Sequence, residues 1–330
     1  MIQRFICAEC MHMSSSPNPT VRYVEVTADN HGQRVDNFLL AKLKGAPRSL
    51  VYRIVRKGEV RINKKRCKPD TRLKTGDLVR IPPLRLGSSR AAGPDPDKYR
   101  WLEQAVLHED DALMVINKPA GLAVHSGTGI DIGLIEALRM IRPQHGFLEL
   151  VHRLDRYTSG CLVLAKSRIA LLALQDQFSR DKGDRMSKIY RALIKGRLTQ
   201  DRRVDAPLQT TRLDSGDRRT MVDACGKPAL SLFTPVRHYG DQATLVEIDL
   251  RTGRNHQARV HAQSLDQPVA GDDKYGDWAF NRMMKSQYGL KRIFLHAYSI
   301  QFEHPLTQLP VMVSSDLPGD LDKVLQRMKA

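Results

Sequence analysis

The sequence predicts an α+β protein of two domains, a small and strongly basic α/β domain followed by a larger mixed, mainly antiparallel β-sheet flanked by helices. Three observations carry that prediction. The chain has 330 residues, more than one ordinary domain needs. Beyond residue 99, strand-like runs outnumber helical ones and follow one another without regular crossover helices, which argues against a Rossmann arrangement. The charge is also uneven. Asn30 to Leu84 holds 15 Lys and Arg against 4 Asp and Glu, a surplus of 11 within a total of +17.

Residues 1–20 read as a disordered tail, and Met11 and Met13 are alternative translation starts. Cys7 and Cys10 form a C-x2-C pair, but no second pair follows at zinc-ribbon spacing, so no metal site is expected. The five cysteines are scattered and form no disulfide framework. The first domain is placed at 21–84. Val35, Phe38, Leu39 and Leu43 recur at helical spacing, then Leu50, Ile54 and Val55 do so after Pro47. Val60 to Ile62, a polar turn at Asn63–Lys65, and a strand from Asp77 to Ile81 follow.

Residues 85–98 lack periodicity and are rich in Gly, Ser and Pro, as in a linker. The second domain, 99–330, opens with a strand at Ala112–Ile116 and a helix over Ile132–Ile141. Leu148–Leu154 and Gly160–Ala165 read as strands. Ser167 is a fitting cap for a helix over Arg168–Ser179, with Ile169, Leu172, Leu174 and Phe178 as its buried face. Tyr190–Ile194 and Thr244–Leu250 complete the evident strands.

No apolar run approaches the roughly 20 residues of a membrane span, and the N-terminus is a poor secretory signal. A cytoplasmic protein is expected, and nothing in the chain asks for more than a monomer. With a sequence pI near 9.8 and mean hydropathy of −0.40, a polyanionic partner is expected.

Two constellations are dense in chemistry. Val151 to Gly160 places Asp155, Arg153, Arg156, His152 and two hydroxyls at a strand end. Along the strand Arg153 and Asp155 lie two apart and share a face, and arginine beside a carboxylate keeps it ionised. From spacing alone, a structural ion pair at a strand end is favoured over a catalytic group. Thr252 to His261 puts Arg254 and Arg259 around a turn and a helix start near Asn255, a suitable anion site. His256 and His261 are five apart, which does not suit a zinc-binding helix. Gly271 to Gly276 is expected to be a loop with Lys274 pairing an aspartate.

The first domain resembles the S4 RNA-binding domain through Arg34-Val-Asp-Asn-Phe38, Arg48-Ser49, Gly58-Glu-Val60, Ile62-Asn63 and Gly76-Asp77. Lys64 stands where that pattern usually has glycine, which questions the turn geometry and adds a cation. The second domain resembles the RluA family of pseudouridine synthases. The matching residues are Asn117-Lys-Pro-Ala-Gly121 with His125-Ser126, His152-Arg-Leu-Asp155 with Thr158-Ser-Gly160, and Lys188-x-Tyr190-x-Ala-Leu193. Thr252-Gly-Arg254 with His256-Gln257, Arg259-Val-His261, Gly271-Asp272 and Tyr275-Gly276 complete the set. Phe147 to His152 and Phe294-Leu-His296 look closest to the RluC type, which acts on bacterial 23S rRNA. Asn255 and Ala258 depart from the family pattern.

The resemblance implies isomerisation of uridines, most simply in large-subunit rRNA or a pre-ribosomal particle, with no metal, nucleotide or redox cofactor. It implies Asp155 as the catalytic carboxylate, Arg153 as its partner, Tyr190 as a stacking platform and aid to proton removal, and Arg259 as a second active-site cation that holds Asp155 or the adjacent phosphate. Arg34, Arg48, Arg53, Lys57, Lys64, Lys65 and Arg66 of the first domain are expected to contact RNA. Lys118, Arg156 and Arg254 of the second join them. Two other readings stand beside this one: an RNA-binding assembly factor on a silent synthase fold, and a metal-dependent hydrolase using His152, Asp155, Asp272 and Asp273.

Overall fold

The computed structural model describes residues 20–43, 46, 48–84, 95–126, 132–179, 186–212 and 218–329, with only the backbone of Arg48. The expected tail and its Cys7–Cys10 pair lie outside the described residues. The chain divides into two compact units, up to Gly93 and from Pro94 onward.

The first unit contains β1 (Arg22–Glu25), α1 (Val35–Lys42), α2 (Arg48–Arg56), β2 (Arg61–Ile62), β3 (Lys65–Arg66) and β4 (Leu78–Ile81). Its antiparallel sheet has the order β1-β4-β2-β3. The helical spacing read from the sequence is the packed one. Val35, Phe38, Leu39, Leu43, Ile54 and Val55 are buried together with Val79 and Ile81 of the sheet. Sequence reasoning missed β1, whose four residues carry only a faint apolar alternation.

The turn between β2 and β3 is tighter than predicted. Arg61 pairs with Arg66 and Ile62 with Lys65, leaving a two-residue connection. Asn63 and Lys64 both take left-handed backbone, with φ of 48° and 67°. That is the geometry a two-residue hairpin with right-handed twist requires, and glycine adopts it without strain. Lys64 therefore keeps the turn at a conformational cost. The Asn63 side chain ties the turn to β4, donating to Asp77 Oδ1 and accepting from Leu78 N at 2.8 Å each.

The second unit begins with a 3-10 helix over Pro96–Ala105, so ordered structure starts inside the span expected to be linker. Its strands are β5 (Val106–Glu109), β6 (Leu113–Lys118), β7 (Glu149–Leu150), β8 (Ser159–Ala165), β9 (Ser187–Lys195), β10 (Arg202–Asp205), β11 (Leu208–Arg212), β12 (Arg218–Val222), β13 (Leu230–Tyr239), β14 (Ala243–Leu250), β15 (Leu295–Glu303) and β16 (Pro310–Ser314). Its helices are α3 (Leu134–Ile141), α4 (Arg168–Ser179), α5 (Gln257–Ser264), α6 (Trp278–Tyr288) and α7 (Gly319–Arg327). The main sheet runs β10-β13-β14-β9-β15-β8-β6-β5, with β7 and β16 attached to β8 and β15. β11 and β12 form a separate hairpin.

Every described pairing in the main sheet is antiparallel except β8 with β15, where Ser159 meets His296 and Gly160 meets Ala297. Gly160 permits that junction. A Cβ there would lie 2.2 Å from the Ala297 carbonyl oxygen, and its φ of 111° is itself a glycine conformation.

Two expectations about this unit need correction. The buried face of α4 is Ala170, Leu171, Leu174 and partly Phe178, whereas Ile169 and Leu172 are 71% and 51% exposed. The run Ile-Ala-Leu-Leu-Ala-Leu is apolar on every side, so periodicity alone does not choose a face. Ser167 does cap the helix, accepting from Ala170 N at 3.2 Å.

Lys118, expected at the RNA surface, is fully buried. Its Nζ donates to the carbonyls of Pro119, Leu122 and Arg156 at 2.7, 2.8 and 3.0 Å. Burial pushes its pKa down to about 7. The three acceptors require three N–H donors, which only the ammonium has. Lys118 thus staples the end of β6 to the backbone beside Asp155 and has no proton left for a phosphate. Among the described residues no helix is long and apolar enough to cross a membrane.

Two outcomes test this account. Lys64→Gly should relieve the turn and slow amide exchange across β2–β4 by an amount worth about 0.5–1 kcal/mol. Lys118→Met should strand three carbonyls and lower the stability of the second unit by about 3 kcal/mol, read from its calorimetric transition in the full chain.

Candidate active site

The β7 strand ends at Leu150, and residues 151–158 form a loop rather than a strand. The two-residue alternation that would set Arg153 beside Asp155 therefore does not operate. Arg153 is exposed and lines a cavity of about 730 Å3 together with Asp155, Arg156, His256, Arg259 and Lys274. The guanidinium that meets Asp155 is Arg259, whose Nη1 donates to Asp155 Oδ2 at 3.0 Å.

Arg259 reaches that position from α5, and a second carboxylate holds it there. Its Nε and Nη2 donate to Asp272 Oδ2 and Oδ1, both at 2.7 Å, a bidentate pair that fixes the guanidinium plane. The Asp272 side chain is 0% exposed and that of Arg259 is 10% exposed, while the Asp155 side chain remains 30% exposed. Burial pushes the Asp272 carboxyl up, but the Arg259 hydrogen bonds and charge, with the Tyr275 and Lys274 amides, hold it below the usual range. Burial would also lower Arg259, but Asp272 and then Asp155 raise it, so the guanidinium stays charged.

Among the described residues Lys274 pairs neither Asp272 nor Asp273 through its side chain, where the sequence suggested pairing with an aspartate. Its amide donates to Asp272 Oδ1 at 2.9 Å, and its Nζ reaches the Arg218 carbonyl. Asp155 Oδ1 has no hydrogen-bond partner among the described residues. The result is a carboxylate clamped through one oxygen, with the other available on a cavity wall.

Tyr190 comes from β9, paired with Ile248 of β14 and Ala297 of β15 at the centre of the sheet. It borders a small cavity of about 70 Å3 that it shares with Asp155, Arg254, His256 and Arg259. Burial, and after it the Asp155 charge, push the phenol well above its ordinary pKa.

The helix expected to begin near Asn255 is capped at His256, with Asn255 and His256 forming the turn before it. His256 takes left-handed backbone with φ of 54°, a strained conformation for a residue with a side chain. Gln257 organises the turn, its Oε1 accepting from Thr252 Oγ1 and Arg254 N. His256 Nδ1 lies 2.9 Å from the Tyr275 hydroxyl, and its Nε2 lies 3.8 Å from Asp155 Oδ2. Burial lowers its pKa, with the nearby Arg259 and Lys274 charges acting the same way against Asp155.

The hairpin of β11 and β12 joins this network, since Thr220 N donates to the Tyr275 hydroxyl at 3.0 Å and Asn255 Nδ2 donates to Thr220 Oγ1 at 3.1 Å. Sequence reasoning did not find the hairpin or the roles of Asp272 and Tyr275 as supports. The Gly271–Gly276 motif was visible, but nothing in its spacing names a partner.

The remaining expected residues are dispersed. Arg156 is exposed, its Nε donating to the Gly121 carbonyl at 2.9 Å, and Arg254 is exposed with Nε on the Pro228 carbonyl at 2.9 Å. In the first unit Arg53, Lys57, Lys64, Lys65 and Arg66 are exposed, and Arg34 pairs with Asp36 at 2.7 Å. The arrangement that a hydrolase would need is missing from the described residues. His152 is half-buried and stacked on Phe178, its Nε2 accepts from Val163 N at 3.1 Å, and desolvation lowers its pKa to about 3.

Comparison with known proteins agrees with the architecture. Residues 112–264 match the RNA pseudouridylate synthase family model, and residues 33–79 match the S4 domain model. The chain is 47% identical over 315 residues to the ribosomal large subunit pseudouridine synthase C of Pasteurella multocida (strain Pm70), covering 94% of this chain and 95% of that one. It is likewise 47% identical over 315 residues to the protein of that name from Escherichia coli (strain K12), covering 94% and 98%. Among solved structures, human RNA pseudouridylate synthase domain containing 4 superposes with a TM-score of 0.57 at 26% identity, over 71% of this chain and 96% of that one. Near-complete coverage at that identity, on a sheet that brings the Asp155, Tyr190 and Arg259 segments to one cavity, leads to one conclusion: this chain belongs to the RNA pseudouridylate synthase family, as a pseudouridine synthase with an S4 domain.

Proposed function

We propose that the chain converts uridines to pseudouridine in large-subunit ribosomal RNA, free or in a pre-ribosomal particle, with Asp155 as the catalytic carboxylate. The observation that carries this reading is the half-exposed Asp155, held through one oxygen by a buried Arg259 at the wall of a nucleotide-sized cavity. The names of the relatives favour large-subunit RNA as the substrate.

The chemistry makes three demands. The uracil must leave its stack, so a pocket with an aromatic platform is needed, and Tyr190 provides the ring beside Asp155. Its raised pKa favours a stacking and hydrogen-bond-donating role over removal of a proton. The RNA backbone must be held independently of sequence, a task suited to Arg153, Arg156 and Arg254 around the cavity and to Arg34, Arg48, Arg53, Lys57, Lys64, Lys65 and Arg66 of the S4 domain. The glycosidic bond must then break and C5 join C1′.

The free Asp155 oxygen is suited to adding to the base, adding to the sugar, or taking a C2′ proton. Arg259 keeps the carboxylate ionised and aimed, and Asp272 acts through Arg259 as a positioning residue. The proposed ribosomal RNA substrate supports a cytoplasmic location.

Purified protein, with EDTA present, is expected to release tritium from 23S rRNA labelled at uridine C5. Asp155→Ala should lower that release by about 10³-fold or more while RNA binding stays within a few-fold. Persisting release by the variant would remove Asp155 from the mechanism. Asp272→Asn should lower kcat by about 10²-fold with KM little changed, because it frees the guanidinium that aims Asp155. An equal change in KM would instead point to a general loss of the pocket.

A further inference from the structure

The small sheet of the S4 unit has two unlike faces. Val24, Ile62 and Val79 share the side that packs on α1 and α2. On the opposite side the strand register places Arg66 beside Arg61, Arg61 beside Arg80, and Arg80 beside Tyr23. Three arginines and a tyrosine therefore form one row across all four strands, spanning roughly 14 Å at the usual strand spacing of about 4.8 Å.

Like charges directly opposite one another destabilise a sheet. Here two such pairs stand in succession, and among the described residues none of the three arginines has a carboxylate partner. Arg61 donates only to the carbonyls of Gly58 and Lys64, each at 3.4 Å, and Arg80 to the Glu59 carbonyl at 2.7 Å. Those contacts orient the guanidinium groups without neutralising them. Tyr23 ends the row with 60% of its surface exposed. A cavity of about 940 Å3 lies over the Tyr23, Arg80 and Arg61 part of the row, lined also by Lys57, Lys64 and one acidic residue, Glu59.

We propose that this face is a binding platform for an unpaired RNA segment. The guanidinium row holds consecutive phosphates and the Tyr23 ring stacks on a base. The platform is separate from the α1–α2 side and adds Tyr23, Arg61 and Arg80 to the RNA contacts. The proposal rests on the RNA substrate proposed above. Unpaired RNA is favoured over a duplex because a flat exposed ring needs a free base face, and duplex bases are occupied by one another.

Binding of the full-length chain to a short fluorescein-labelled single-stranded RNA, and to a duplex of equal charge, tests this by anisotropy across a salt series. Tyr23→Ala should weaken single-strand binding about tenfold and duplex binding less than about twofold, with Tyr23→Phe close to wild type. The double variant Arg61→Gln with Arg80→Gln should lower the slope of log affinity against log salt by about 1.4, the value for two single-strand phosphate contacts. Unchanged affinity and slope would overturn the platform. Equal losses on both RNAs for Tyr23→Ala would overturn the stacking. Tighter binding to poly-glutamate than to RNA, lost in the double variant, would assign the face to an acidic protein instead. The assay involves no turnover, so a failed isomerisation and a failed platform are separate results.

Discussion

The site depends on one guanidinium shared between two carboxylates. Arg259 is nearly buried, and a buried cation with no counter-charge is strongly unfavourable. Asp272, fully enclosed and bidentate to it, supplies that charge and fixes the plane of the guanidinium. Nη1 is then directed at Asp155, which remains partly open to the cavity. Three segments that are remote in the chain meet through this unit: the loop after β7, the first turns of α5 and the turn before α6. A change at any one of them alters the setting of Asp155, even where the altered side chain never approaches RNA.

The sheet is built to bring those segments together. β15 lies between β9 and β8, and its parallel meeting with β8 is possible because Gly160 presents no side chain to Ala297. That junction brings the end of the Asp155 loop to the middle of the sheet, near Tyr190 on β9. Lys118 secures the same loop from the other side through the Arg156 carbonyl. The backbone around Asp155 is therefore held by a glycine contact and an ammonium staple, while the left-handed His256 marks where α5 is bent to serve the site.

Charge is divided between the units according to task. In the catalytic unit acidic residues offset most of the cations, while Arg259 is buried beside Asp155 and Arg153, Arg156 and Arg254 lie at the surface. The S4 unit carries a surplus of unpaired arginine and lysine on its sheet and hairpin, a distribution that favours a polyanion over a folded-state ion-pair network.

Much of this was legible in the chain. Burial follows periodicity where polar residues interrupt it, so α1, α2, β6 and β14 emerged close to their observed spans, and the motif spacing identified the family and the residues at the cavity. The face of α4 was not legible, because a run that is apolar all round has no direction until something packs on it. The partner of Asp155 was legible only in part, since the motif resemblance offered Arg259 for Asp155 or a phosphate but put Arg153 first. The assignment to Arg153 assumed a continuing strand, and only the break at Leu150 and the arrival of Arg259, 104 residues later, replaced it. Lys118 looked like a surface cation because a side chain's charge says nothing of its solvent access. The sequence by itself thus determined which elements form and what chemistry is available, since both depend on local pattern and residue type. Which charges meet, and which of them water still reaches, was decided by the tertiary structure, because ion pairing and desolvation depend on distances that sequence separation does not encode.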